Sequence, residues 1–176
     1  MINNEIALRN TYDMLALLNS GGCMSWVQDG TLLGLVRDGH VMRWDHDTDI
    51  GLWTPTWKPA CWSWLENAGF TSHSVLGTQQ SGWQQRWTRN GVKTDIFFYY
   101  TDDAGNYWHS AYLRNTIEYR FTYAPFKLTT IDTTTGSMPA PDPPEHFLET
   151  KYGPDWRTPK RRWHFATSPL NSSKVQ

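Results

Sequence analysis

The sequence predicts an α+β fold in a single compact domain, and three observations carry that expectation. The chain has 176 residues, enough for one core and too few for two ordinary domains. Helical periodicity occupies the first twenty residues, and strand-like stretches crowd the middle. An Asn90-Gly91 dipeptide between two of those stretches is a strong hairpin signal.

Leu8, Tyr12, Leu15 and Leu18 recur at near-helical spacing across 5–19, and Gly21-Gly22 ends that helix. Met24 to Val27 reads as a short buried strand, followed by a glycine turn at Asp29-Gly30-Thr31 and a brief helix over 32–37. His40 to Trp53 reads as extended chain ending at Thr54-Pro55, and 58–68 as a helix with Pro59 in its first turn. Residues 71–76, 83–89 and 94–100 read as strands, the last two forming the hairpin. Residues 107–135 carry too weak a pattern to place an element. The prolines of 136–144 imply an extended loop, and 145–151 a helical turn closed by Tyr152-Gly153-Pro154. The domain is expected to span 1–170, with 171–176 a loose polar tail.

Composition narrows the function classes. The net charge of −1 argues against a nucleic-acid partner, although Lys160, Arg161 and Arg162 form a local basic cluster. No run approaches the roughly eighteen apolar residues of a membrane span. The start of the chain lacks the basic-then-apolar pattern of a secretory signal, which implies a cytoplasmic setting. Cys23 and Cys61 form no Cys-x-x-Cys motif and read as reduced, packed thiols. Most of the 11 tryptophans are expected to fill the core.

The chemistry concentrates in Trp44-Asp45-His46-Asp47-Thr48-Asp49-Ile50. Period-two alternation puts Asp45, Asp47 and Asp49 on one strand face, where same-face residues lie about 7 Å apart, close enough for carboxylates to share hard cations. Without a cation the like charges raise one another's pKa values. His46 falls on the opposite face. Asp95 opens the otherwise apolar stretch Ile96 to Tyr100 and can supply a third ligand from a neighbouring strand. Gly30 and Thr31 precede a helix, where backbone N–H groups favour a phosphate. Arg37, Lys127 and Arg157 are candidate cations for the charge of a substrate.

Three motifs together resemble the LicD and fukutin family: Gly30-Thr31-Leu32-Leu33-Gly34-Leu35-Val36-Arg37, Trp44-Asp45-x-Asp47-x-Asp49-Ile50 and Asp95-Ile96-Phe97. The run from Phe147 through Tyr152-Gly153-Pro154-Asp155-Trp156 to Pro159 is similar to that family's closing signature. This chain has Arg43, His46 and Thr48 where the family usually has proline, a further acid and isoleucine. The resemblance implies a nucleotidyltransferase-like mixed β-sheet flanked by helices. By the same resemblance, Gly30 and Thr31 form the phosphate turn, and Asp47, Asp49 and Asp95 hold Mg²⁺ or Mn²⁺. It further implies transfer of phosphocholine or ribitol phosphate from a CDP-alcohol donor to a hydroxyl acceptor on a glycan or small molecule, with CMP leaving. Two alternatives stay open: a nucleotidyltransferase that adds NMP and releases pyrophosphate, and a non-catalytic module that binds glycans or nucleotides.

Overall fold

A computed structural model describes residues 2–160 and 162–175, so Arg161 of the basic cluster lies outside the described residues. Helix α1 (Asn4–Ser20) starts where the Asn3 side chain accepts a hydrogen bond from the Ile6 N–H, and it buries Leu8, Met14, Leu15 and Leu18. Strand β1 (Ser25–Val27) runs directly into α2 (Asp29–Asp38), which stops at Gly39 with φ of 75°. The helix therefore begins at Asp29 and absorbs the glycine turn expected before it. The Leu32 N–H bonds to the Gln28 carbonyl at 3.0 Å, and the otherwise orphan Gly30 N–H is satisfied from outside the helix.

Strand β2 (Asp47–Trp53) is shorter than the extended stretch expected over 40–53. Its partners explain the difference: antiparallel β1 pairs Val27 with Ile50, and the next strand first pairs at Asp47. Upstream of Asp47 the ladder ends and the chain turns, with the Asp45 N–H on the Met42 carbonyl at 3.1 Å. After a 3₁₀ turn at Thr54–Thr56 come α3 (Ala60–Asn67), β3 (Thr71–Thr78), β4 (Ser81–Arg89) and β5 (Val92–Thr101). The β4–β5 hairpin closes through Asn90 and Gly91, both at positive φ, as the dipeptide predicts.

The unpatterned region is in fact strand. β6 (Tyr107–Leu113) and β7 (Ile117–Tyr123) form a hairpin through Arg114 and Asn115 at positive φ. β8 (Lys127–Asp132) pairs with β9 (Ser137–Asp142) in a separate ribbon, correcting the loop expected over 136–144. Prolines 139 and 141 are tolerated there because alternate residues of an edge strand need no ladder donor. Helix α4 (Pro144–Tyr152) buries Phe147, Leu148, Lys151 and Tyr152 and ends at Gly153. The expected loose tail is corrected in part by β10 (Ser172–Lys174), which pairs with the free edge of β7.

The main sheet runs β1-β2-β5-β6-β7-β10, with β4 also pairing the first part of β5 and β3 pairing β4. β2 and β5 are parallel and the other recorded pairs are antiparallel, so the sheet is mixed, as expected. Trp26, Trp57, Trp87, Trp108 and Trp156 are buried, in line with core filling, whereas Trp44 is 60% exposed. Cys23 and Cys61 are both fully buried and joined as a disulfide, which corrects the reduced thiols expected from the sequence. No helix among the described residues is long and apolar enough to cross a membrane.

Candidate active site

The parallel pairing of β2 with β5 decides where the acids lie. Asp49 stands opposite Asp95 in the register, and Asp47 opposite Lys93, so Asp47, Asp49 and Asp95 share one face at the edge of a cavity of about 470 Å³. Asp45 reaches the same cavity from the loop, and Asp29 from the first turn of α2. A Cβ placed on Gly30 would come within 2.8 Å of Asp45 Oδ2 and 3.2 Å of Asp49 Oδ2, which shows how closely these carboxylates pack on the start of α2.

Asp49, Asp95 and Asp29 are each held by specific neighbours. The Gly30 N–H donates to Asp49 Oδ2 at 3.0 Å, and the Asp49 N–H donates to the Thr31 hydroxyl at 2.7 Å. Gln84 Nε2 donates to Asp95 Oδ2 at 2.8 Å, and Arg86 Nε reaches the same oxygen at 3.3 Å. Arg86 in turn donates to Asn115 at 2.7 Å. Lys151 Nζ lies 2.5 Å from Asp29 Oδ2.

Withdrawal from water dominates the electrostatics. Burial, with Asp47 adding repulsion, pushes Asp45 up to about 7. Burial also raises Asp47. Asp49 is raised well above the usual carboxylate range by burial and then by the charges of Asp47, Asp29, Asp45 and Asp95. Asp95 is pushed up to about 7 by burial and by Asp47, against the opposing pull of Arg86 and Gln84. A protein that gathers four such groups carries an electrostatic cost that a bound cation would remove.

The donor set is all carboxylate oxygen, which suits Mg²⁺ or Mn²⁺. Among the described residues, no three acidic, His or Cys side chains already surround one point in ligating geometry. The recorded hydrogen bonds hold only Oδ2 of Asp49 and of Asp95. Occupancy would therefore ask for side-chain rotation, with the backbone register already in place.

Of the other candidates, Gly30 and Arg37 line the cavity. Arg37 is engaged with Asp38 through two contacts of 2.9 and 2.8 Å, and those bonds hold Asp38 below its usual range. Thr31 is fully buried, and its hydroxyl orders β2. Lys127 sits exposed on the β8 edge, and Arg157 lies over the Trp156 ring at 4.1 Å; neither lines the cavity. His46 is exposed and outside the cavity, but it lies in the bend before β2 and not on the opposite strand face expected for it. Sequence reasoning missed Asp29, Gln84, Arg86, Lys151 and Lys160, all on the cavity wall. Asp29 adjoins the glycine turn, Lys151 lies within the closing run and Lys160 in the basic cluster, so these three had a local signal.

The model of the LicD/FKTN/FKRP nucleotidyltransferase domain matches residues 22–142. The chain is similar to "Ribitol-5-phosphate transferase FKTN" of Mus musculus, at 25% identity over 152 residues, covering 85% of this chain and 33% of that protein. The Homo sapiens counterpart is 23% identical over 156 residues, covering 88% of this chain and 34% of its own length. The chain thus spans about a third of these relatives. Among solved structures, the lincomycin-bound lincosamide antibiotic adenylyltransferase LnuA aligns with a TM-score of 0.51 at 16% identity, covering 78% of this chain and 80% of that one. At that identity the likeness shows a shared nucleotidyltransferase-like fold.

Proposed function

Because the chain belongs to the LicD/FKTN/FKRP nucleotidyltransferase-domain family, we propose that it transfers a phospho-alcohol group from a CDP-activated donor to an acceptor hydroxyl, releasing CMP. The group is ribitol-phosphate-like or phosphocholine-like, and the acceptor a glycan or small molecule. One observation carries the reading: Asp49 and Asp95 stand in register on adjacent parallel strands, with Asp47 beside them on the same face.

Asp47, Asp49 and Asp95 would hold Mg²⁺ or Mn²⁺. When bound, the ion supplies charge neutralisation on the phosphoryl oxygens and lowers the pKa of a coordinated hydroxyl. The chain's own residues do the rest. The Gly30 N–H and the Thr31 hydroxyl fix Asp49, and Gln84 and Arg86 fix Asp95. Asp95 also lies where it can receive the proton of the acceptor hydroxyl. Arg86, Lys151 and Lys160 place positive charge on the cavity wall against the charge of the donor phosphates. Tyr152, Trp156 and Trp163 give the wall an apolar surface that limits water at the reacting centre.

The test is product analysis of the purified chain with Mg²⁺ and either CDP-ribitol or CDP-choline across a panel of hydroxyl acceptors. CMP formed in step with a phosphorylated acceptor supports the reading. Pyrophosphate released from CTP, with no CMP from either CDP-alcohol, would replace it with nucleotidyl transfer.

A further inference from the structure

Groups of opposite character line the cavity. α2, β2 and β5 supply carboxylates, whereas α4 and the segment after it supply cations and aromatic rings. Three of the basic side chains on the cavity are already engaged. Arg37 is forked onto Asp38, Arg86 bridges Asp95 and Asn115, and Lys160 holds Asp155 at 2.8 Å and the Tyr152 carbonyl at 2.9 Å.

Lys151 differs from these. It is 4% exposed, and its ammonium carries three N–H donors, yet its recorded polar contact is with Asp29 Oδ2 alone. The ammonium lies 4.5 Å from the Phe121 ring centroid, so an aromatic surface bounds it there. Asp29 is also buried, at 6% exposure, and its Oδ1 has no hydrogen-bond partner. A buried ion pair kept only for stability is expected to have its remaining donors and acceptors satisfied. Here they are unmet, and both side chains open on the cavity.

We propose that Lys151 binds a non-bridging oxygen of a substrate phosphate or diphosphate, and that Asp29 is a positioning residue that holds the ammonium in the cavity. An ammonium acts on phosphate as a compact point charge, and Lys151 lines the same cavity as Asp47, Asp49 and Asp95. The assignment rests on the reading above only in that the substrate carries phosphate. It does not depend on which bond breaks or on the leaving group.

The test is calorimetric titration of the full chain with inorganic pyrophosphate at fixed Mg²⁺. Lys151→Met is expected to weaken binding at least tenfold, with Lys151→Arg recovering part of the loss and Asp29→Asn falling between. Lys151→Met leaves the Asp29 charge uncompensated, so the double variant Asp29→Asn/Lys151→Met, which removes both charges at nearly constant volume, guards against misfolding. That double variant should unfold near the wild-type temperature and remain at least tenfold weaker for pyrophosphate. Pyrophosphate affinity within twofold of wild type in the double variant would overturn the assignment. So would a wild type that releases CMP from a CDP-alcohol but does not bind pyrophosphate. Tenfold weakening in the variants, with no CMP released by wild type, would support the Lys151 site and sink the transferase reading instead.

Discussion

Asp49 and Asp95 face each other across a parallel strand pair, and each has one carboxylate oxygen tied down, Asp49 by the Gly30 amide and Asp95 by Gln84 and Arg86. Both carboxyls lie in a poorly hydrated wall, where burial first and then the charge of Asp47 raise the proton affinity of each. An arrangement that opposes folding yet is braced from both sides supports the proposed active site.

Replacing Asp49 with Asn should separate function from folding. The side chain keeps its volume and loses its charge, so CMP release should fall by about 100-fold or more. Because the folded state raises this carboxyl, its ionisation costs stability as pH rises, and removing the charge relieves that cost. Thermal unfolding at pH 8 should therefore occur at or above the wild-type temperature. Turnover near wild type at limiting Mg²⁺ would contradict the assignment.

Two glycine substitutions should give opposite signatures. A Cβ at Gly30 meets Asp45 Oδ2 at 2.8 Å and Asp49 Oδ2 at 3.2 Å, so Gly30→Ala should displace the acids and cut activity about tenfold. Its stability should hardly change, since alanine suits a helix. A Cβ at Gly51 meets the Trp26 ring at 2.4 to 2.7 Å, so Gly51→Ala should destabilise by roughly 1–3 kcal/mol. Urea unfolding and CMP release on the same samples check both.

Much of this was legible in the sequence because it was local. Helix spacing gave α1, the Asn90-Gly91 turn gave the β4–β5 hairpin, and the acids announced β2. The resemblance to the LicD and fukutin family is upheld by the family match. What escaped was non-local or lacked period-two contrast. Trp108, His109, Ser110 and Ala111 of β6 are buried in succession, so no alternation marks that strand, and its turn uses Arg114-Asn115 instead of a glycine pair. The β9 prolines concealed an edge strand, and the Lys151–Asp29 contact joins residues far apart in the chain.

His109 should make the fold acid-sensitive. Burial lowers its pKa to about 3, with Lys151 adding to the effect and Asp29 opposing it, against about 6.5 when unfolded. Between those values the unfolded chain binds more protons. The contribution is thus intact above pH 6.5 and is lost as pH falls, at about 1.4 kcal/mol per pH unit. The raised carboxylates act with the opposite sign, so comparison with His109→Phe, which keeps a ring against Phe121, isolates the histidine. Urea unfolding at pH 7.5, 6 and 5 should show wild type losing ground to the variant as pH falls. A constant difference would contradict the assignment.

Lys127→Ala and Arg157→Ala should leave the donor KM and the turnover within twofold of wild type, because neither side chain lines the cavity. Arg157→Ala should cost at most about 1 kcal/mol through loss of its contact with Trp156. Steady-state kinetics and thermal unfolding check the pair. A tenfold rise in KM for either would place the donor outside the cavity described.

The most direct measurement is anomalous diffraction at the manganese edge from crystals soaked with Mn²⁺ and CDP-ribitol. The expected result is metal density bound by carboxylate oxygens of Asp47, Asp49 and Asp95. Well-ordered nucleotide in the cavity with no metal on these three side chains would contradict the account.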